Sequence, residues 1–172
     1  NKDGEKKLIF EQKGLGIGAL YSLITKSLGF GIGEEGKTMG LAPYGAKYSK
    51  IDKLIPSLKG NFFDLYTDYS NQITRSPSME LKMNIMKVKQ KKDVYKPYFS
   101  RLAYNLQKET ERCLNYLALQ SIKTTGCKNL CFAGGVALNC VANEKILNKG
   151  FTENFFIYPA SGDNGIPLGL AI

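Results

Sequence analysis

An α/β domain is the fold class this sequence predicts. Residues 98–172 read in order as helix, strand, helix, strand and the start of a further helix, the arrangement that builds a parallel sheet with helices against it. Both strands are short apolar runs, and each ends in small polar residues that open a helix, Ala133-Gly134-Gly135 in one case and Ser161-Gly162-Asp163-Asn164-Gly165 in the other. The 43% apolar, 11% aromatic and 23% charged residues are those of a globular domain with a real core.

From the N-terminus, residues 1–13 are charged around Leu8, Ile9 and Phe10 and fit a short strand. Leu15, Ala19, Leu20, Leu23, Ile24 and Leu28 recur at helical spacings, so a helix is expected over 15–29, stopped by Gly29. The Gly14-Gly16-Gly18 run lacks the spacing and the preceding strand of a phosphate loop and reads as a flexible helix entry. Residues 29–45, GFGIGEEGKTMGLAPYG, combine six glycines with Glu34, Glu35 and Lys37. Such a segment is either a ligand loop or a surface connection, and composition does not decide between them. Residues 48–75 read as mixed, with a strand at FFDLY and turns around Gly60-Asn61.

Residues 76–97 carry Lys82, Lys87, Lys89, Lys91, Lys92 and Lys96. With only Tyr95 and Tyr98 nearby for stacking, the run reads as a solvated, mobile segment ahead of a nucleic-acid surface. Phe99, Leu102, Ala103, Leu106, Thr110, Cys113, Leu114, Leu117 and Ile122 trace one face of a helix over 98–125. Lys108, Glu109, Glu111 and Arg112 lie off that face, and Gly126 is the stop. Residues 129–132 then form a strand, 136–149 a helix ending at Gly150, 155–158 a second strand, and the apolar tail begins another helix.

The 24 basic and 15 acidic residues leave a formal charge of +9, and there is no His. The chain alone therefore cannot form a Ser-His-Asp or Cys-His pair or a His-bearing zinc site. Any base drawn from it must be a carboxylate, Lys, Tyr or Cys. For Cys113, Cys127, Cys131 and Cys140 no secretory leader is expected, since NKDGEKK has no apolar stretch behind it, and no apolar run approaches the ~20 residues of a membrane span. Free thiols in a cytoplasmic protein without a membrane partner are expected.

The two strand-to-helix junctions carry the chemistry. Gly134 and Gly135 precede a helix, where backbone amides can hold an anion. Asn139 and Asn143, four apart, share a helix face and can hydrogen-bond ribose or base edges, or else are solvated side chains beyond a tight turn. Asp163, directly after a strand, is either a metal-holding carboxylate or an N-cap. Open α/β sheets bind ligands at the carboxyl ends of neighbouring strands, so two such junctions reinforce each other.

Three stretches resemble the NodU/CmcH family of O-carbamoyltransferases: GALYSLITKSLGFGIGEEGKTMGLAPYG at 18–45, NLCFAGGVALNCVANEKIL at 129–147 and YPASGDNGIPLGLAI at 158–172. The resemblance implies a ribonuclease-H-like fold of the actin and sugar-kinase ATPase type. It further implies a reaction in which a YrdC-like domain joins carbamoyl phosphate and ATP into carbamoyl-adenylate, and this domain passes the carbamoyl group to a hydroxyl of a small molecule. Gly134, Gly135 and Asn139 would hold the nucleotide, Asp163 would bind iron or another divalent metal, and Lys37 would face the phosphates or the carbamoyl group.

Two departures accompany the resemblance. The resemblance implies a metal site completed by upstream histidines, and this chain has no His; the YrdC-like domain is expected to lie outside this stretch. The expectation is a single partial catalytic domain over 1–172, inactive alone and binding nucleotide weakly or not at all. Within it, 18–45 would be a Gly-rich ligand region and 98–172 a nucleotide-binding half. The metal would be held only with ligands from outside the chain, and an uncovered sheet would favour self-association. The other readings are a different ATP-binding member of the same superfamily, a sugar kinase or a relative forming threonylcarbamoyl-adenosine in tRNA, and a basic nucleic-acid-binding module, which would lose affinity steeply with salt.

Overall fold

A computed structural model describes residues 6–9, 11, 16–48 and 96–171. The FFDLY strand, Gly14 and nearly all of the lysine run fall outside the described residues. The first helix, α1, spans Ile17–Ser27 and buries Leu20, Tyr21 and Ile24. It ends with Leu28 in helical geometry and Gly29 at φ 81°, a left-handed conformation that costs glycine little.

The Gly-rich segment read as a loop or surface connection is largely helical. After Gly33 at φ 80°, α2 runs over Glu35–Leu41 and passes directly into a 3-10 helix at Ala42–Tyr48. Its polar residues explain why. The Gly31 amide donates to Glu34 Oε2 at 2.7 Å. Ser22 Oγ donates to Glu35 Oε1 at 2.7 Å, and the Thr25 and Thr38 hydroxyls meet at 2.8 Å, fixing α2 to α1. Leu41 and Ala42 enter the core. A Cβ on Gly45 would stand 2.0 Å from the Ser100 carbonyl oxygen, so this glycine lets the 3-10 helix lie directly on the next helix.

That helix, α3, spans Pro97–Thr125, with Pro in its first turn and Gly126 in the left-handed conformation closing it. It is the central element: α1, α2, the 42–48 helix and the following α4 all pack on it. Leu102, Ala103, Leu106, Thr110, Cys113 and Leu114 are buried as the stripe predicts, and Ala118, outside the stripe, is buried with them. Glu109 and Glu111 are buried too, against the expectation that they lie off the core face. Elements cover α3 on more than one side, and each carboxylate keeps a cation: Glu109 accepts from Arg112 Nε at 2.8 Å, and Glu111 from Lys108 Nζ at 2.8 Å.

Strand β1 (Asn129–Phe132) pairs in parallel with β2 (Asn154–Ile157), in register from Asn129 opposite Asn154 to Phe132 opposite Ile157. Leu130, Phe132 and Phe155 pack inward, while Cys131 and Phe156 are exposed on the outer face. The connection is not one helix over 136–149. It is a 3-10 turn at Gly135–Leu138 followed by α4, Cys140–Leu147. Asn139, at φ −76° and ψ 85°, breaks the helical path and caps α4 by accepting from the Ala142 amide. After β2, a 3-10 turn at Asp163–Gly165 leads into α5, Ile166–Ala171. The described residues thus form a mixed α/β fold, mostly helical, with a small parallel sheet. No described helix is long and apolar enough to cross a membrane.

Candidate functional site

Parallel pairing of β1 and β2 brings both strand ends to one place. The Gly134 amide donates to the Ser161 carbonyl at 2.6 Å, joining the two junctions. Gly134 sits at φ 95° and ψ 164°, a region nearly reserved for glycine, so the turn needs it for its conformation. Its amide faces Ser161, which leaves the next two amides, of Gly135 and Val136, without a hydrogen-bond partner among the described residues. Both stand at the start of a 3-10 turn, where N–H groups point outward and favour an anion. Across from them, a Cβ on Gly162 would lie 3.8 Å from Leu138 and 3.9 Å from the Gly135 Cα, and a Cβ on Gly165 would sit 2.3 Å from the Ala160 carbonyl oxygen. The second turn closes only because residue 165 has no side chain.

The expected site residues separate by what they do. Asp163 is exposed on its turn, next to exposed Asn164. Among the described residues no three His, Cys, Asp or Glu side chains gather to hold a metal. One exposed carboxylate does not fit a divalent metal by itself. Lys37 is half-exposed on α2 and pairs with Glu34 one turn earlier, so its ammonium is engaged on its own helix. Asn143 donates to the Ala137 carbonyl at 2.7 Å, tying α4 to the turn before it, and its Oδ1 is buried without a partner among the described residues. The Ser161 hydroxyl is buried and likewise without a partner there.

Asn139 is the most constrained. Its Oδ1 accepts from the Ala142 amide and from Gln107 Nε2, both within 3.1 Å, while its Nδ2 donates to Gln107 Oε1 at 3.0 Å. Gln107 Oε1 also accepts from the Tyr21 hydroxyl at 3.0 Å, and Gln107 Nε2 donates to Glu111 at 3.3 Å. Burial, with the nearby Glu111 and Glu35 carboxylates, holds the Tyr21 phenol neutral far into the alkaline range. This buried network links α1, α3 and the entry to α4. Sequence reasoning missed Gln107, Tyr21 and Glu111, because Gln107 sits in a charged run beside Lys108 and nothing local marks it as buried.

An α/β domain with two joined strand-to-helix junctions is the class that this geometry defines. Residues 3–172 match the family model described as carbamoyltransferase N-terminus, and the chain belongs to that family. It is 33% identical to nodulation protein NolNO of Sinorhizobium fredii over 156 residues, covering 91% of this chain and 22% of that protein. It is 30% identical to nodulation protein NolO of Bradyrhizobium diazoefficiens over 158 residues, 91% of this chain and 28% of that protein. A protein of Synechocystis is 36% identical over 163 residues, 91% of this chain and 26% of its own length. The chain therefore spans about a quarter of the length of these relatives.

Proposed function

We propose that this chain is part of an enzyme that moves a carbamoyl group from carbamoyl-adenylate, made from carbamoyl phosphate and ATP, to a hydroxyl of a small molecule. The family match over residues 3–172 carries the reading. The joined junctions support its placement. In this reading the fold is a portion of a ribonuclease-H-like domain of the actin and sugar-kinase type. The Gly135 and Val136 amides hold the adenylate phosphate, Asn139 stands just beyond them at the cap of α4, and Asn143 lies one helical turn further on. The four free cysteines suit a cytoplasmic protein.

The transfer balances simply. The acceptor oxygen bonds to the carbamoyl carbon, the bond from that carbon to the phosphate oxygen breaks, AMP leaves with the electron pair, and the hydroxyl proton goes to a base. Amides fixed before the reaction stabilise charge that grows on the leaving phosphate without having to reorient. Lys37 would reach a phosphate only by leaving Glu34. Asp163 can add one carboxylate to a metal completed by other polypeptide, and it acts at the mouth of the junction.

Full-length protein incubated with ATP, labelled carbamoyl phosphate and a panel of polyols and aminoglycosides tests this. Labelled carbamate esters with stoichiometric AMP are expected. Phosphoryl transfer from ATP to a sugar, with no carbamate ester, would overturn the reading in favour of a kinase.

A further inference from the structure

We infer that Gln107 is a positioning residue that holds the Asn139 carboxamide in a single orientation, with one N–H turned toward ligand. This rests on the proposed nucleotide reading of the junction. The orientation follows from the chemistry at the two ends of the network. The Ala142 amide can only donate, so the Asn139 end facing it is the oxygen, 3.0 Å away. The Glu111 carboxylate, paired with Lys108, accepts, so the Gln107 end facing it is the nitrogen. With both ends set, the two amides can pair only reciprocally: Gln107 Nε2 to Asn139 Oδ1 at 3.1 Å and Asn139 Nδ2 to Gln107 Oε1 at 3.0 Å. The Tyr21 hydroxyl donating to Gln107 Oε1 agrees with this polarity.

The arrangement saturates Gln107, whose two donors and two lone pairs are all used. It saturates the Asn139 oxygen as well and leaves Asn139 one amide proton without a partner among the described residues. A ligand reaching Asn139 therefore meets a donor. Acceptor atoms are matched there: a ribose oxygen, an unprotonated base nitrogen or a carbonyl. All four side chains are buried, so a flipped amide would leave polar groups unpaired away from water. The link spans 32 residues from Gln107 to Asn139 and 86 from Gln107 to Tyr21, and no local pattern encodes it.

The test compares the full-length protein with its Gln107→Met and Tyr21→Phe variants by nitrogen-edited NMR of the side-chain amides and by calorimetric titration with ADP. Asn139 amide protons are expected to exchange about tenfold faster in Gln107→Met and about threefold faster in the milder Tyr21→Phe. ADP affinity should fall about tenfold in Gln107→Met at a temperature where backbone spectra superpose, an effect that a purely structural role would not produce. Should Gln107→Met fail to fold, Tyr21→Phe alone carries both measurements. Unchanged Asn139 exchange in the variants overturns the inference, as does faster exchange with unchanged ADP affinity. Absence of ADP binding by the folded full-length wild type would sink the nucleotide reading instead, and the exchange comparison would then decide by itself whether Gln107 holds Asn139.

Discussion

Gly45 and Cys113 show how single positions on α3 and its neighbour are constrained. A methyl on residue 45 would meet the Ser100 carbonyl oxygen and the Tyr104 Cβ, which belong to a helix that cannot yield locally. Gly45→Ala is expected to destabilise the fold by about 3 kcal/mol, since the backbone must shift. Urea unfolding measures it, and a loss within about 0.5 kcal/mol would mean the two elements lie further apart than described. Cys113 is buried, and burial first, then the neighbouring Glu109 carboxylate, pushes its thiol up from about 9 to about 12. The folded state thus holds this proton more tightly than the unfolded chain does. The associated stability is complete below about pH 9 and is lost as pH rises toward 12, by at most about 1.4 kcal/mol per pH unit. Iodoacetamide at pH 8 should modify exposed Cys127, Cys131 and Cys140 while sparing Cys113 in the folded protein. Rapid labelling of Cys113 would contradict its placement.

Among the elements, α4 is held at its start far more firmly than along its length. Asn139→Ala removes the N-cap and leaves Gln107 with an unmatched donor and acceptor in a buried setting. The expected cost is about 2–4 kcal/mol, the cap and the orphaned amide together. Asn143→Ala gives up one bond to the Ala137 carbonyl and removes an oxygen that is already unpaired, so about 1 kcal/mol or less is expected. Equal losses by denaturant unfolding would refute the distinction. The same contrast shows what was legible in the sequence. The stripe from Leu102 to Leu114, the strand at 129–132 and the stops at Gly29 and Gly126 come from local periodicity and glycine, and the fold follows them closely. The helix over 35–41 was hidden because Gly36 and Gly40 depress its propensity, and bonds from Ser22 and Thr25 on α1 override that. The break at Asn139 was hidden because Val136, Ala137 and Leu138 continue the apolar pattern of a helix. The junctions were legible as glycines and short polar residues; the amide network beneath them, built across long sequence separations, was not.

At the scale of the whole molecule, the described residues cover one face of the sheet. Inward-facing Leu130, Phe132 and Phe155 pack on the core, whereas Phe156 is 59% exposed opposite an exposed Cys131 in the parallel register. Parallel sheets are ordinarily covered on both faces. Apolar side chains on α5, Ile166, Leu168 and Leu170, are also exposed. The family relatives are about four times as long as the stretch they share with this chain, so in a polypeptide of that length there is ample chain to lie over the outer face. Two outcomes follow from the same uncovered surface. In the 172-residue chain alone, self-association is expected to grow with concentration, and Phe156→Thr should weaken it by removing apolar area from the face. In a full-length polypeptide, Cys131 should be alkylated at least about tenfold more slowly than in the isolated chain, while Cys127, outside the strand, keeps its reactivity. Mass spectrometry after timed alkylation reads both cysteines in one sample, and Cys127 serves as the internal reference for thiol chemistry. Equal Cys131 rates in the two forms, with the isolated chain monomeric throughout, would mean that the outer face is a true solvent surface and that the parallel pair is complete with one side covered.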